Sequence, residues 1–305
     1  MESSVFTYDE IHSKDYRWRD MTGKILFTIF SQTFPLGNAD NSSVWKITEE
    51  DDEYGNLDVD VKALRQLTDE NQKRFRVPVD FVYKPLLSFD EVKAYLETLD
   101  KEGEEAREGE ETRKGEKYDC FFFVFLTYST PEYANTFNEE KLHFNDRTLE
   151  KGIVPQAKIL DEIKKLKVVV GKPKIFLIQA DDLGLLGEKQ YIKGPTFVPE
   201  TVIMKIPQDA DRLIIKSTIP QIIANLDETG FLRAATKRPS FLIQAFIETL
   251  LENNNRKLSE REDLFTLSTC INGKIARMVK ESKHRRSGDM YVPLVTSTLT
   301  KSLYL

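Results

Sequence analysis

The sequence predicts an α/β fold with a mainly parallel sheet and helices on both faces. Three observations carry this. Short β-branched or aromatic runs alternate with helical patterns along the chain, the order that builds strand–helix–strand units. One run, Cys120 to Thr127, is apolar almost throughout, as expected of a strand covered on both faces. Hydrophobic residues are 40% and charged residues 31% of the 305, which supplies a substantial core and argues against global disorder.

The elements follow in order. Lys24 to Phe30 reads as the first strand. Val59 to Phe75 is expected to be helical, because Val61, Leu64 and Leu67 recur three residues apart. Ser88 and Glu91 have capping-box spacing and open a helix through Val92, Tyr95 and Leu96. Val154 to Leu166 reads as a helix, Lys174 to Gln179 as a buried strand and Arg212 to Lys216 as another. Pro239 to Leu251 is an amphipathic helix with proline at its start. Ser259 to Met278 is a further helix, expected to open at Ser259–Glu262, and Tyr291 to Thr300 is β-rich. Two segments break the pattern. Lys101 to Lys117 is almost all Lys, Arg, Glu and Gly, which suits a solvated loop or a helix extension. Leu183 to Thr201 reads as a long loop rich in Gly and Pro.

Composition excludes several functions. The net charge is −6, so no chain-wide basic footprint for nucleic acid exists, and the cluster Lys280 to Arg286 reads as a solvated loop. The longest apolar run, Cys120 to Leu126, is far short of the ~20 residues that span a membrane. Met1 to Val5 has neither a basic nor an apolar segment, so a cytoplasmic, reducing setting is expected. Two cysteines and three histidines rule out a disulfide scaffold and a zinc finger. His12, His143 and His284 share no ligand spacing. The acidic stretch from Glu49 to Asp60 has Asn56 where a calcium loop needs glycine, and reads as solvated. Gly171–Lys172 runs into Pro173, so no Walker loop forms, and no dinucleotide fingerprint follows a strand. No metal or cofactor is therefore expected. Cys120 opens an apolar strand and Cys270 lies in a helical pattern; both read as buried structural cysteines. His143 reads as a loop residue.

Longer strings then carry a resemblance. Gly171-Lys-Pro-Lys-Ile-Phe-Leu-Ile-Gln-Ala180 is similar to the caspase strand that leads into the catalytic cysteine. Asp119 to Ser129 resembles the caspase strand that ends at the catalytic histidine. Asp58-Val-Asp60 with Leu64 fits an early helix of the caspase large subunit. Lys205 to Leu213, Ser217 to Pro220, Ser240 to Gln244 and Val292 to Tyr304 resemble successive parts of the small subunit. The matches are ordered and run from about residue 22 to the end. The resemblance implies a six-stranded, mostly parallel sheet flanked by helices. It also implies a short tail at 1–22, a large-subunit-like part at 23–182, an intersubunit loop at 183–204 and a small-subunit-like part at 205–305. That tail is too short for a death-fold adaptor domain.

The departures shape the functional expectation. Tyr128 stands where the family has its general-base histidine, and Asp181 where it has its nucleophilic cysteine. The two are about 50 residues apart, as the family's His and Cys are. Asp182 and Leu183 replace the next two motif residues, and Ser129 follows Tyr128 in place of glycine. An aspartate is no thiolate, and a tyrosine with pKa near 10 is a poor base at neutral pH. Of the residues that hold a substrate aspartate, Gln179 remains. No arginine occurs from Val44 to Lys62, where the first arginine belongs. The second belongs near Leu226, and Arg233 lies beyond that position. No aspartate lies between Leu183 and Gln208, so the chain is expected to stay uncleaved.

The resemblance thus implies a pseudoenzyme without the Cys–His dyad. It is expected to regulate apoptosis by binding an active caspase as a heterodimer, activating it or acting as a decoy, with a homodimer as a further possibility. The interface would be the last strand, through Val292, Leu294, Val295, Thr296, Ser297, Thr298 and Leu299. An alternative is new acid–base chemistry at Asp181, Asp182 or Tyr128, although neighbouring strand residues point to opposite faces.

Overall fold

The computed structural model describes residues 23–32, 58–68, 75, 77–108, 118–130, 141–146, 149–182, 210–225, 238–282 and 293–305. At its centre lies a twisted sheet of six strands: β1 (Lys24–Ser31), β2 (Val79–Pro85), β3 (Tyr118–Thr130), β6 (Lys174–Asp181), β7 (Arg212–Ser217) and β8 (Leu294–Ser297). Their order is β2-β1-β3-β6-β7-β8, with every pairing parallel except β7 with β8. Two short strands, β4 (Lys141–His143) and β5 (Ile153–Pro155), form an antiparallel extension on the end of β3. The fold class is α/β, as the sequence predicts.

The aromatic run on β3 explains how both faces are sealed. Side chains alternate along a strand. Phe122, Val124 and Leu126 face one core, Phe121, Phe123 and Phe125 the other, and all six are at most 1% exposed. Against the first core pack α1 (Val59–Thr68), α6 (Phe241–Asn254) and α7 (Leu264–Glu281). Against the second pack α2 (Phe89–Glu108) and α4 (Gln156–Lys164). Among the described residues, α3 (Leu149–Gly152) and α5 (Gln221–Ala224) are single-turn helices.

Several boundaries differ from the sequence reading, each for a local reason. Strand β2 is not among the strands read from the sequence: Val79, Phe81 and Tyr83 alternate towards the first core, but Asp80 and Lys84 interrupt the continuous apolar run that marks the central strands, and Pro85 ends it. Val154 belongs to β5, and the helix starts at Gln156. The N-cap of α6 is Ser240, whose hydroxyl accepts from Ile243, so Pro239 lies outside it. The N-cap of α7 is Asp263, and Leu258–Glu260 forms a separate 3₁₀ turn. In the described residues, the helix from Val59 ends at Thr68. The Lys101–Lys117 segment extends α2 as far as Glu108, and 109–117 lie outside the described residues. Cys270 is exposed, not buried, because Leu267, Ile271 and Ile275 turn the apolar stripe of α7 the other way. His143 sits in strand β4, not in a loop. Among the described residues no helix is long and apolar enough to cross a membrane, and no cluster of metal-ligating side chains occurs.

The capping box forms as expected. Ser88 N donates to Glu91 Oε2 at 2.7 Å, and Glu91 N donates to Ser88 Oγ at 3.3 Å. Ser88→Ala is expected to lower stability by ~1 kcal/mol in urea unfolding, with an unchanged denaturant slope.

Candidate functional site

Parallel sheets place ligands at the C-terminal ends of their strands. At that end, Tyr128 on β3 and Asp181 on β6 are register partners. The neighbouring Ser129 Oγ donates to Ala180 O at 3.1 Å and ties the two strand ends together. Strand β6 owes its placement to a turn that needs glycine. Gly171 has φ +72°, a left-handed conformation that other residues adopt at a cost.

Asp181 is buried, with 6% of its surface exposed, and both its oxygens are engaged. Gln179 Nε2 donates to Oδ1 at 2.6 Å, and the backbone N–H of Gln221 donates to Oδ2 at 2.9 Å. Gln179 Nε2 also donates to Ile219 O at 2.6 Å. Burial pushes the Asp181 carboxyl up to about 6, and the charge of Asp58 adds to the rise; the bonds from Gln179 and Gln221 oppose it. The backbone N–H of Asp182 donates to Thr218 O at 3.0 Å.

Three residues of this corner were not legible as site residues. Gln221 Nε2 donates to Asp58 Oδ1 at 3.2 Å, so α5 is joined to the start of α1. Asp60 is 2% exposed, which corrects its reading as part of a solvated acidic loop. It accepts from Ser240 N at 2.6 Å and so links α1 to the start of α6. Burial holds the Asp60 carboxyl well above the usual range, and Asp58 and Asp181 push it the same way. The available signal was the resemblance at Asp58–Asp60, which names a helix and not a contact. Glu49–Asn56 lie outside the described residues.

Tyr128 is half-buried, and its ring meets His143 edge-on with centroids 6.5 Å apart. Thr127 Oγ1 donates to His143 O at 2.6 Å and holds β4 beside it. Burial lowers the His143 imidazole below its ordinary value. Cys120 is fully buried in the sheet, and burial first, with Asp119 second, pushes its thiol far up.

The β8 segment lies at the sheet edge. Leu294 is 57% exposed, Thr296 is exposed, and Val295, Ser297, Thr298 and Leu299 are half-buried. Thr298 and Leu299 fall just past the four-residue strand. Asp211, at φ 65°, accepts from Thr300 N at 3.0 Å and anchors the segment to the start of β7. Val292, Leu226, Arg233 and the 183–204 loop lie outside the described residues.

The family described as Caspase domain matches residues 55–304. No curated protein sequence matches. The solved structure of pro-Sf-caspase-1 aligns with a TM-score of 0.57 at 20% identity, over 99% of this chain and 96% of that one. Caspase-1 from Spodoptera frugiperda aligns with a TM-score of 0.52 at 19% identity, over 92% of this chain and 91% of that one. These two likenesses speak for the fold, and the family match covers most of the sequence: the chain belongs to the caspase-domain family.

Proposed function

We propose that this chain is a catalytically inactive caspase homologue that binds an active caspase through its β8 edge and raises that partner's activity. A cytoplasmic role in apoptosis follows from this reading. The carrying observation is the in-register pair Tyr128–Asp181 at the strand ends that, by resemblance, hold the family's general base and nucleophile. A buried carboxylate that accepts two hydrogen bonds lacks the polarisable lone pair of a thiolate and is poorly placed to attack. Cys120 lies deep in the core and Cys270 on the outer face of α7, so neither described cysteine offers a substitute nucleophile at this corner. The edge strand supports the binding half of the reading. A strand at a sheet edge offers backbone groups to a second chain, and the exposed Leu294 adds apolar surface.

The test mixes the purified chain with a single-chain caspase zymogen from the same organism and follows cleavage of an aspartyl peptide. The chain alone is expected to show no cleavage. Mixed, the two are expected to co-elute, and the zymogen's rate to rise at least about tenfold, since ordering worth ~1.4 kcal/mol gives that factor. Leu294→Asp, at an exposed position that leaves the fold intact, is expected to abolish both effects. Co-elution with a fall in rate is the decoy outcome. No complex and no change in rate overturn the proposal.

A further inference from the structure

Two N–H donors converge on one carboxylate at the end of β6. Gln179 Nε2 faces Asp181 Oδ1 at 2.6 Å, and Gln221 N faces Oδ2 at 2.9 Å, one donor per oxygen. Gln179 is 2% exposed, so its amide is a buried, built-in donor and not a surface group. The orientation of that amide carries information. Its nitrogen is turned to two acceptors, Asp181 Oδ1 and Ile219 O. Its oxygen is left buried with no hydrogen-bond partner. A buried acceptor without a partner is unfavourable, so the two bonds made by the nitrogen, to the carboxylate and to Ile219 O, together set how the amide sits.

We propose that Gln179 Nε2 and Gln221 N form a carboxylate-binding pair that Asp181 fills from within the same chain. An acidic side chain or chain terminus from another molecule can reach these donors only by displacing it. Asp181 is thus an internal ligand that bridges the end of β6 to the start of α5. A retained glutamine is on this account no evidence of a working acid pocket, since its amide is already spoken for. Asp58 and Asp60 line the same corner, so an incoming acid also meets two further carboxyl groups. The contact stands on the geometry; its meaning as a blocked pocket rests on the loss of catalysis proposed above.

Asp181→Ala removes the internal ligand and leaves both donors. Its melting temperature is expected to fall, and sodium acetate is expected to restore about half of the loss with saturation, by preferential binding to the folded state. Sodium chloride at equal ionic strength and neutral acetamide are expected to restore nothing. The unaltered protein should not respond to acetate, and Asp181→Ala with Gln179→Ala should not be rescued. A short aspartyl peptide should bind Asp181→Ala and not the unaltered chain. Acetate acting no better than chloride on Asp181→Ala, or equally on the unaltered chain, overturns the proposal. If Asp181→Ala does not fold, the folded yield of Asp181→Ser in acetate against chloride is read the same way. Rescue together with peptidase activity in the unaltered chain would sink the inactive reading and leave the carboxylate pair standing; silence without rescue would do the reverse.

Discussion

Phe122→Ala is expected to destabilise the protein by about 3–5 kcal/mol, enough to remove much of the stability of an ordinary domain. Phe122 is fully buried at the centre of β3. Its ring stacks on Phe27 with centroids 5.0 Å apart and meets Phe246 of α6 at 6.4 Å. Truncation would empty a site walled by a sheet, which relaxes little, so the cavity would persist. The effect should reach the candidate site. Ser240 caps α6, which carries Phe246, and Ser240 N donates to Asp60. Urea unfolding should show the lower midpoint, and faster amide exchange at Ser240 should accompany it. A loss below about 1 kcal/mol would mean that the aromatic layer is not what holds the sheet to α6.

The second large effect concerns pH. Asp181 titrates at about 6 in the fold against an ordinary 3.8, because burial disfavours its charge. A carboxyl whose pKa is raised by folding holds its proton more tightly in the folded chain. Its contribution is complete below about pH 3.8 and is lost as pH rises through about 6. A difference of that size corresponds to roughly 2–3 kcal/mol between about pH 4 and about pH 7.5. Asp60 acts in the same direction. Asp181→Asn cannot titrate, so its stability should fall less steeply over that range than that of the unaltered chain, by about 2–3 kcal/mol. The comparison of slopes is the readout, because asparagine turns an amide towards Gln221 N and lowers stability at every pH. Parallel pH profiles for the two proteins would show that Asp181 does not titrate in this range.

Local pattern settled much of the architecture. The apolar run at Cys120–Leu126 marks a doubly covered strand, and the family-like strings at Gly171–Ala180 and Ser240–Gln244 point to β6 and the start of α6. The resemblance to the caspase family singles out Tyr128 and Asp181, about 50 residues apart, as expected counterparts of its dyad. The strands and helices are legible because their periods, caps and turn glycines are short-range properties. What failed was equally physical. The edge strand β2 alternates Val79, Phe81 and Tyr83 with Asp80 and Lys84 and so lacks the continuous apolar run of the central strands, and a helical pattern does not state which face Cys270 takes.

Only the tertiary structure decided what Asp181 does. Its partners Gln179 and Gln221 are 2 and 40 positions away, while Asp60 and Ser240 are 180 apart. Parallel connections bring the ends of β6 and β7 side by side and stack α1 and α6 beneath them, and no local period encodes that meeting. The sequence by itself determined that a carboxylate stands at this corner. The folded chain determined that the carboxylate is buried, raised in pKa and already bound, because burial and hydrogen-bond geometry arise only once distant segments share one low-dielectric space.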